Sequence, residues 1–320
     1  MSALKSWIVG VIAAVALAGG ALAQDYPSKP ITIIGPFPPG GPFEVVRHLA
    51  AHMEATWGKS VIIDNRPGAG GLIGAQAVSK ATPDGYTLLF LGASVASLKV
   101  LVKDTTFDPV TDLAPVSMFA DFPSGFVTNG DVPAKNIDQF VAWAKANPGK
   151  VNYGSVGPNA SMLVIEAFKR AAGIDMTDIP YSGGAQTLTA LLRNDVQFTG
   201  VALNKGIKQQ VDEGKVTPLI AIGAKRPRLF PDVPSTAEKG YNIPRNGWSA
   251  MFAPPGTPKA ILDKLAAEVA IYVKTPGAAK VADDLGVELG ASTPEELGQQ
   301  VKSDAKGWAD IANTIGFKPQ

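Results

Sequence analysis

The chain has 320 residues, with 29 Lys and Arg against 28 Asp and Glu, and no cysteine. A balance this neutral does not supply the basic surface that holds nucleic acid by its phosphates, and without cysteine there is no thiol nucleophile, thiolate metal site or lipidated N-terminal cysteine. A chain of this length buries enough surface to fold without disulfides, and two domains are the natural expectation.

The N-terminus sets the expected compartment. Lys5 gives a positive start, Trp7 to Leu17 an apolar run, and Ala21-Leu22-Ala23 a small-x-small cleavage site. That is the pattern of a secretory signal peptide. A retained anchor is the alternative, but the run falls short of the roughly 20 apolar residues that span a bilayer. Residues 1–23 are read as the leader, and the mature chain as a soluble periplasmic protein beginning at Gln24. Cytosolic, nucleotide-dependent chemistry does not suit that compartment.

From Tyr26 on, strands and helices alternate. Ile31 to Ile34 predicts a buried strand ending at Gly35-Pro36. Gly40-Gly41-Pro42 opens a helix, with Pro42 suited to its first turn. Val46, Leu49, Ala50, Met53 and Trp57 share one face of it, and Gly58 stops it. Val61 to Asp64 is the next strand, the loop 66–71 leads into a helix through Val78, and Thr87 to Leu91 is a third strand. This βαβαβ order predicts a parallel sheet with helices on both faces.

The middle repeats the logic. A strand at Gly125 to Thr128 precedes a helix carrying Ile137, Phe140, Val141 and Ala144, which stops at Pro148-Gly149. A strand at 151–154, a helix over 161–172 and a strand around Ile179 follow. Next come a helix with Leu188, Leu191 and Leu192 as its apolar stripe and strands at 196–201 and 219–222. The last third holds a strand at Ser249 to Phe252, a helix bearing Leu262, Leu265 and Val269, and a final helix with Leu297, Val301, Trp308, Ile311 and Ile315. A tail of helices without new strands is expected to pack back on the first lobe. The fold class is therefore α/β: two lobes, each a mostly parallel sheet flanked by helices. Residues 24–124 and 249–320 form lobe 1 and residues 125–248 form lobe 2. The chain crosses near 122–126 and near 247–249.

No motif demands catalysis. Gly68-Ala69-Gly70-Gly71-Leu72-Ile73-Gly74 is one residue longer than the dinucleotide fingerprint and reads as a tight loop whose glycines allow positive φ. His48 and His52, the only histidines, are four apart on one helix; that spacing can hold a metal, but no Glu follows His48 and neither lies on the apolar stripe, so both are expected to face solvent. No G-x-S-x-G elbow supplies a serine nucleophile. No metal and no cofactor are expected. What stands out is glycine and small polar residues at four strand-to-helix junctions: Pro38-Pro39-Gly40-Gly41, Gly92-Ala93-Ser94, the segment 155–161, and Ser182-Gly183-Gly184-Ala185. Taken singly these are ordinary capped loops. Together, in two lobes, they suit a shared anion site, since open α/β sheets bind ligands beyond strand C-termini and helix N-termini present free N–H groups and positive potential.

The motifs Pro36-Phe37-Pro38-Pro39-Gly40-Gly41-Pro42, Asn65-Arg66-Pro67-Gly68-Ala69-Gly70-Gly71, Pro83-Asp84-Gly85-Tyr86-Thr87, Asp108-Pro109 with Asp112 to Val116, Pro180-Tyr181-Ser182-Gly183-Gly184-Ala185, Pro231 to Thr236 with Glu238 and Gly240, and Trp248 with Ala253 to Pro258 occur in order. The chain resembles the substrate-binding receptors of tripartite tricarboxylate transporters, the Bug-type periplasmic receptors, over essentially its whole mature length. The resemblance implies a two-lobed receptor of Venus-flytrap type. It would close on a small organic carboxylate without catalysis and deliver it to a membrane permease; the free cleft rim that closure needs implies a monomer, and the neutral charge balance no nucleic-acid partner. It places ligand contacts at Phe37, Gly40, Gly41, Phe43 and Ser94 in lobe 1, and at Ser155, Asn159, Ala160, Ser161, Gly184, Ala185 and Asn204 in lobe 2, with waters bridging the first loop. Four positions depart from the family pattern: Phe43-Glu44, Met162, Ser182 and Gln197. They are expected to make the site more apolar and less charged. Phe43 either forms an aromatic wall for an apolar ligand body or packs on the lobe surface. The rivals are a sensor that presents bound solute to a signalling partner, and an extracytoplasmic hydrolase, for which no base is found.

Overall fold

The computed structural model describes residues 26–35, 44–156, 160–244, 247–317 and 319. Eleven strands and ten α-helices are described. They run β1 (Ile31–Gly35), α1 (Glu44–Trp57), β2 (Val61–Asn65), α2 (Leu72–Ser79), β3 (Thr87–Gly92), α3 (Ser94–Leu101), β4 (Ala114–Asp121) and β5 (Ser124–Asn129). Then come α4 (Ile137–Ala146), β6 (Asn152–Ser155), α5 (Ala160–Ala172), β7 (Thr177–Pro180), α6 (Gly184–Leu192), β8 (Phe198–Ala202), α7 (Lys205–Asp212) and β9 (Val216–Ala221). The chain finishes with β10 (Trp248–Ala253), α8 (Lys259–Tyr272), α9 (Pro276–Leu285), β11 (Glu288–Leu289) and α10 (Pro294–Ile315).

The strands form two sheets, ordered β11-β4-β10-β3-β1-β2 and β7-β6-β8-β5-β9. Both are mixed rather than mostly parallel. β2, β1 and β3 pair in parallel, as do β7, β6 and β8, because each helix returns the chain to the same end of its sheet. β10 is antiparallel to β3 and β4, and β5 to β8 and β9. β5 and β10 are where the chain enters each sheet after crossing from the other.

Each sheet is covered on both faces, as its apolar strands require. α1 lays Val45, Val46, Leu49, Ala50 and Met53 on the first sheet beside Leu265 and Val269 of α8. Gly58 ends α1 at φ 63. The other face takes Leu72, Ala75 and Val78 of α2 with Leu297 and Val301 of α10. In the second sheet the phenyl rings of Phe126, Phe140, Phe168 and Phe198 meet at centroid distances of 4.9–5.7 Å. Each such pair adds about 0.5–1.5 kcal/mol beyond its buried area.

Several expectations need correction. β4 is not marked in the sequence as a strand, because Pro115 lies inside it. The structure accommodates that proline at a register shift, where Pro115 opposes Phe252. The tail does add a strand, since β11 joins the edge of the first sheet. It also does not pack on lobe 1 alone. α10 begins among lobe 1 residues and carries Trp308 into the hydrophobic cluster of the second sheet, beside Phe168 and Ala96 of α3. His48 is exposed, but His52 is half-buried: its Nε2 lies 2.8 Å from Oε1 of the buried Glu268, and its ring is 5.1 Å from Tyr272. The helix turns His52 toward α8 rather than to solvent.

The two crossings are fastened to each other. Phe122 N–H donates to the Gly247 carbonyl, and a Cβ on Gly247 would collide with the Phe122 carbonyl. Glycine is required there by close approach, not by φ. Beside them Arg228 joins the lobes: its N–H donates to Glu288 Oε1 at 3.0 Å, and its guanidinium meets Asp283 at 2.6 Å.

Candidate functional site

β6 and β8 are parallel, so their C-termini lie at one edge of the second sheet. Ser155 closes β6, and Asn204 follows β8. α6 opens there too, and a cavity of about 620 Å³ lies between these elements. It gathers Ser155, Ser161, Gly184, Ala185 and Asn204 of the expected lobe 2 contacts. Asn159 lies outside the described residues, as do Phe37, Gly40, Gly41 and Phe43. Ala160 opens α5, and its side chain is not described. Ser94 opens α3 at the C-terminal end of β3 but does not line this cavity.

Hydrogen-bond donors gather at this end of the cavity. Gly183 gives α6 no side-chain cap, so the first N–H groups of the helix are left for water or a ligand. Asn204 caps α7, its Oδ1 accepting from Ile207 N–H at 3.0 Å. That bond fixes the side-chain oxygen on the helix terminus and leaves the NH2 as the amide's donor group. Ser155 is buried and its Oγ makes no well-formed hydrogen bond. It still draws on the Asp178 carboxyl, which burial raises above the usual carboxylate range and the serine hydroxyl partly lowers. None of the described residues lining the cavity is charged. Two hydroxyls there are already spent, Thr187 on the Gly183 carbonyl and Thr199 on the Gly154 carbonyl.

The sequence reading missed part of the wall. Leu188, Leu191 and Leu192 read as one core stripe, yet only Leu191 is fully buried; Leu188 and Leu192 line the cavity, Leu192 at 38% exposure. Gln209 and Gln210 of α7 line it too, with no sequence signal to mark them. Three departures from the family pattern do not act where expected. Gln197 sits at the opposite end of β8, where its Oε1 accepts from Asn152 N–H at 3.0 Å and its amide donates to the Asn194 carbonyl. Met162 packs on the second-sheet hydrophobic cluster, and Ser182 is exposed outside the cavity.

Other matched motifs are structural. Gly85, at φ 82, turns the chain where a Cβ would strike Ile261 and Tyr26, and Asp84 Oδ1 accepts from Tyr86 N–H at 3.1 Å. Ser235 and Glu238 cap each other, Ser235 N–H to Oε2 at 2.8 Å and Glu238 N–H to Oγ at 3.2 Å. The loop before α2 holds Gly68, Gly70 and Gly71 at φ 138, 64 and 106, the positive values its glycines allow. A second cavity, of about 280 Å³, lies at the crossings beside Asp121, Ser124 and Arg226. Arg226 is occupied there by Glu238 and the Pro231 carbonyl, and Lys225 lines the same cavity. Among the described residues no group of three His, Asp or Glu could hold a metal ion, and no helix is long and apolar enough to cross a membrane.

Two mixed sheets joined by paired crossings, with a donor-lined cavity at strand C-termini, define a two-lobed α/β binding protein. Residues 45–317 match the tripartite tricarboxylate transporter family receptor. The chain is 32% identical to Protein BugT of Bordetella pertussis over 319 residues, covering 97% of each. Among solved structures it resembles the periplasmic binding protein BugD, with TM-score 0.69, 32% identity, and 92% of this chain and 100% of that one covered. It also resembles R. palustris Rpa4515 solved with adipate, with TM-score 0.72, 29% identity and the same coverage. The chain belongs to the tripartite tricarboxylate transporter receptor family, whose members are periplasmic solute-binding proteins.

Proposed function

We propose that this chain captures a small organic carboxylate between its two lobes and hands it to a membrane permease, without converting it. Lobe 1 comprises residues 24–124 and 249–320, lobe 2 residues 125–248, and residues 1–23 are a cleaved signal peptide. The receptor works as a monomer, because closure requires the cleft rim to be free. The observation that carries the reading is the uncharged, donor-bearing end of the lobe 2 cavity: the uncapped N-terminus of α6 and the Asn204 amide. Neutral donors hold a carboxylate without a desolvated ion pair, whose burial is costly, and so permit release. Ligand that contacts both lobes favours the closed state by its differential affinity. The adipate-bound relative supports the ligand class.

Thermal melting of purified protein against aliphatic, aromatic and tricarboxylic acids tests this. A ligand at 100 times its Kd stabilises the native state by about 2.7 kcal/mol, which raises the midpoint measurably. A shift with an acid that calorimetry and mass spectrometry then find unaltered supports the receptor. Turnover of the acid, or no shift in protein freed of co-purified ligand, overturns it.

A further inference from the structure

The cavity continues well beyond its donors. It runs between α6 and α7, from Gly184 to Leu192, eight residues of helix and hence about 12 Å. Leu188 and Leu192, four apart on α6, present one apolar face along it. Val156 adds to the apolar rim near the donors, at 36% exposure. Gln209 and Gln210 stand on the α7 wall. An exposed leucine is ordinary by itself. An apolar strip continuous with a polar, anion-accepting end has the form of a ligand site whose two ends serve different chemistry.

Resting on the carboxylate-receptor reading, we infer that the preferred ligand is a monocarboxylate with an extended uncharged body, alkyl or aryl. Its carboxylate meets the donors at the α6 N-terminus and its body lies along Leu188 and Leu192. A second carboxylate at the far end would face leucine and a Gln209 amide that already donates to Glu213 Oε1 at 2.8 Å, so it would meet an occupied donor and a neighbouring negative charge. Desolvating that charge unpaired is unfavourable. Each methylene of the body laid on the strip is expected to strengthen binding about fourfold.

Isothermal titration of the purified protein tests this with butanoate, hexanoate, octanoate and 3-phenylpropanoate against succinate, adipate and citrate. Affinity should rise along the monocarboxylate series and exceed that of the dicarboxylate of equal chain length at least tenfold. Leu192→Glu, at a surface position that tolerates charge, should weaken octanoate and 3-phenylpropanoate at least tenfold and leave butanoate within twofold. Tighter binding of adipate than of hexanoate, or a Leu192→Glu protein with an unchanged series, overturns the inference while leaving the carboxylate receptor standing. Absence of binding by every acid overturns both.

Discussion

Trp248 Nε1 donates to Asp304 Oδ2 at 2.8 Å, and both side chains are buried. The bond ties β10, the strand on which the chain re-enters the first sheet, to α10, the helix that reaches the second. Gln300 donates to the other carboxylate oxygen at 2.9 Å. Trp248→Phe removes the donor and leaves that oxygen buried without it. The expected cost is about 2–3 kcal/mol, read as a lowered midpoint in urea denaturation. A loss below about 0.5 kcal/mol would show that the bond adds nothing net.

Asn204 separates folding from binding. Asn204→Asp keeps an oxygen to cap α7, and aspartate is as good a cap as asparagine. It replaces the amide donors with a negative charge facing the cavity. The variant should match the parent in melting temperature without ligand and lose at least tenfold in affinity for any acid that binds. Retained affinity would place the anion elsewhere.

His52 and Glu268 form a polar contact between α1 and α8, on the face of the first sheet away from α10. His52→Ala leaves the Glu268 carboxylate, 5% exposed, without the imidazole beside it. The expected destabilisation is about 2 kcal/mol, and His52→Gln, which still offers a donor, should recover part of it. Equal stability of the alanine variant and the parent would show that Glu268 is satisfied by other means.

Lys99 governs the acid side of Asp108. Their contact is 2.5 Å, and the Lys99 hydrogen bond holds the Asp108 carboxyl below its ordinary value of 3.8. A depressed carboxyl contributes stability above the unfolded-state value and loses it as pH falls through the folded-state one. Lys99→Met should therefore move the Asp108 carboxyl resonance to titrate at higher pH in NMR. An unmoved titration would assign the shift to the Val110 N–H, which also bonds Asp108.

Much of this architecture was legible. Val46, Leu49, Ala50 and Met53 marked α1 by spacing alone, and the βαβ order gave the parallel triplet of each sheet. β4 was hidden because a proline argues against a strand, and only its bulged pairing with β10 admits one. The polar half of the candidate site could be read as Gly and Ser at strand ends, since those residues are favoured at helix N-termini. Its apolar half was not. Leu188 and Leu192 carry the same helical period as a core stripe, and only α7 standing opposite leaves a groove over them. Gln197 and Met162 drew attention as departures from a pattern, yet Gln197 satisfies a backbone group and Met162 packs inside lobe 2.

The position of Trp308 has a consequence for how the protein is made. The cluster that seals the second sheet takes residues from α4, α5 and β8 and is completed by a tryptophan near the end of the chain. A chain emerging from the ribosome N-terminus first holds neither lobe in finished form until α10 is out. Segments that lack their last packing partner leave hydrophobic surface exposed. Placing Leu297, Val301 and Trp308 on one helix makes completion of both lobes wait on α10.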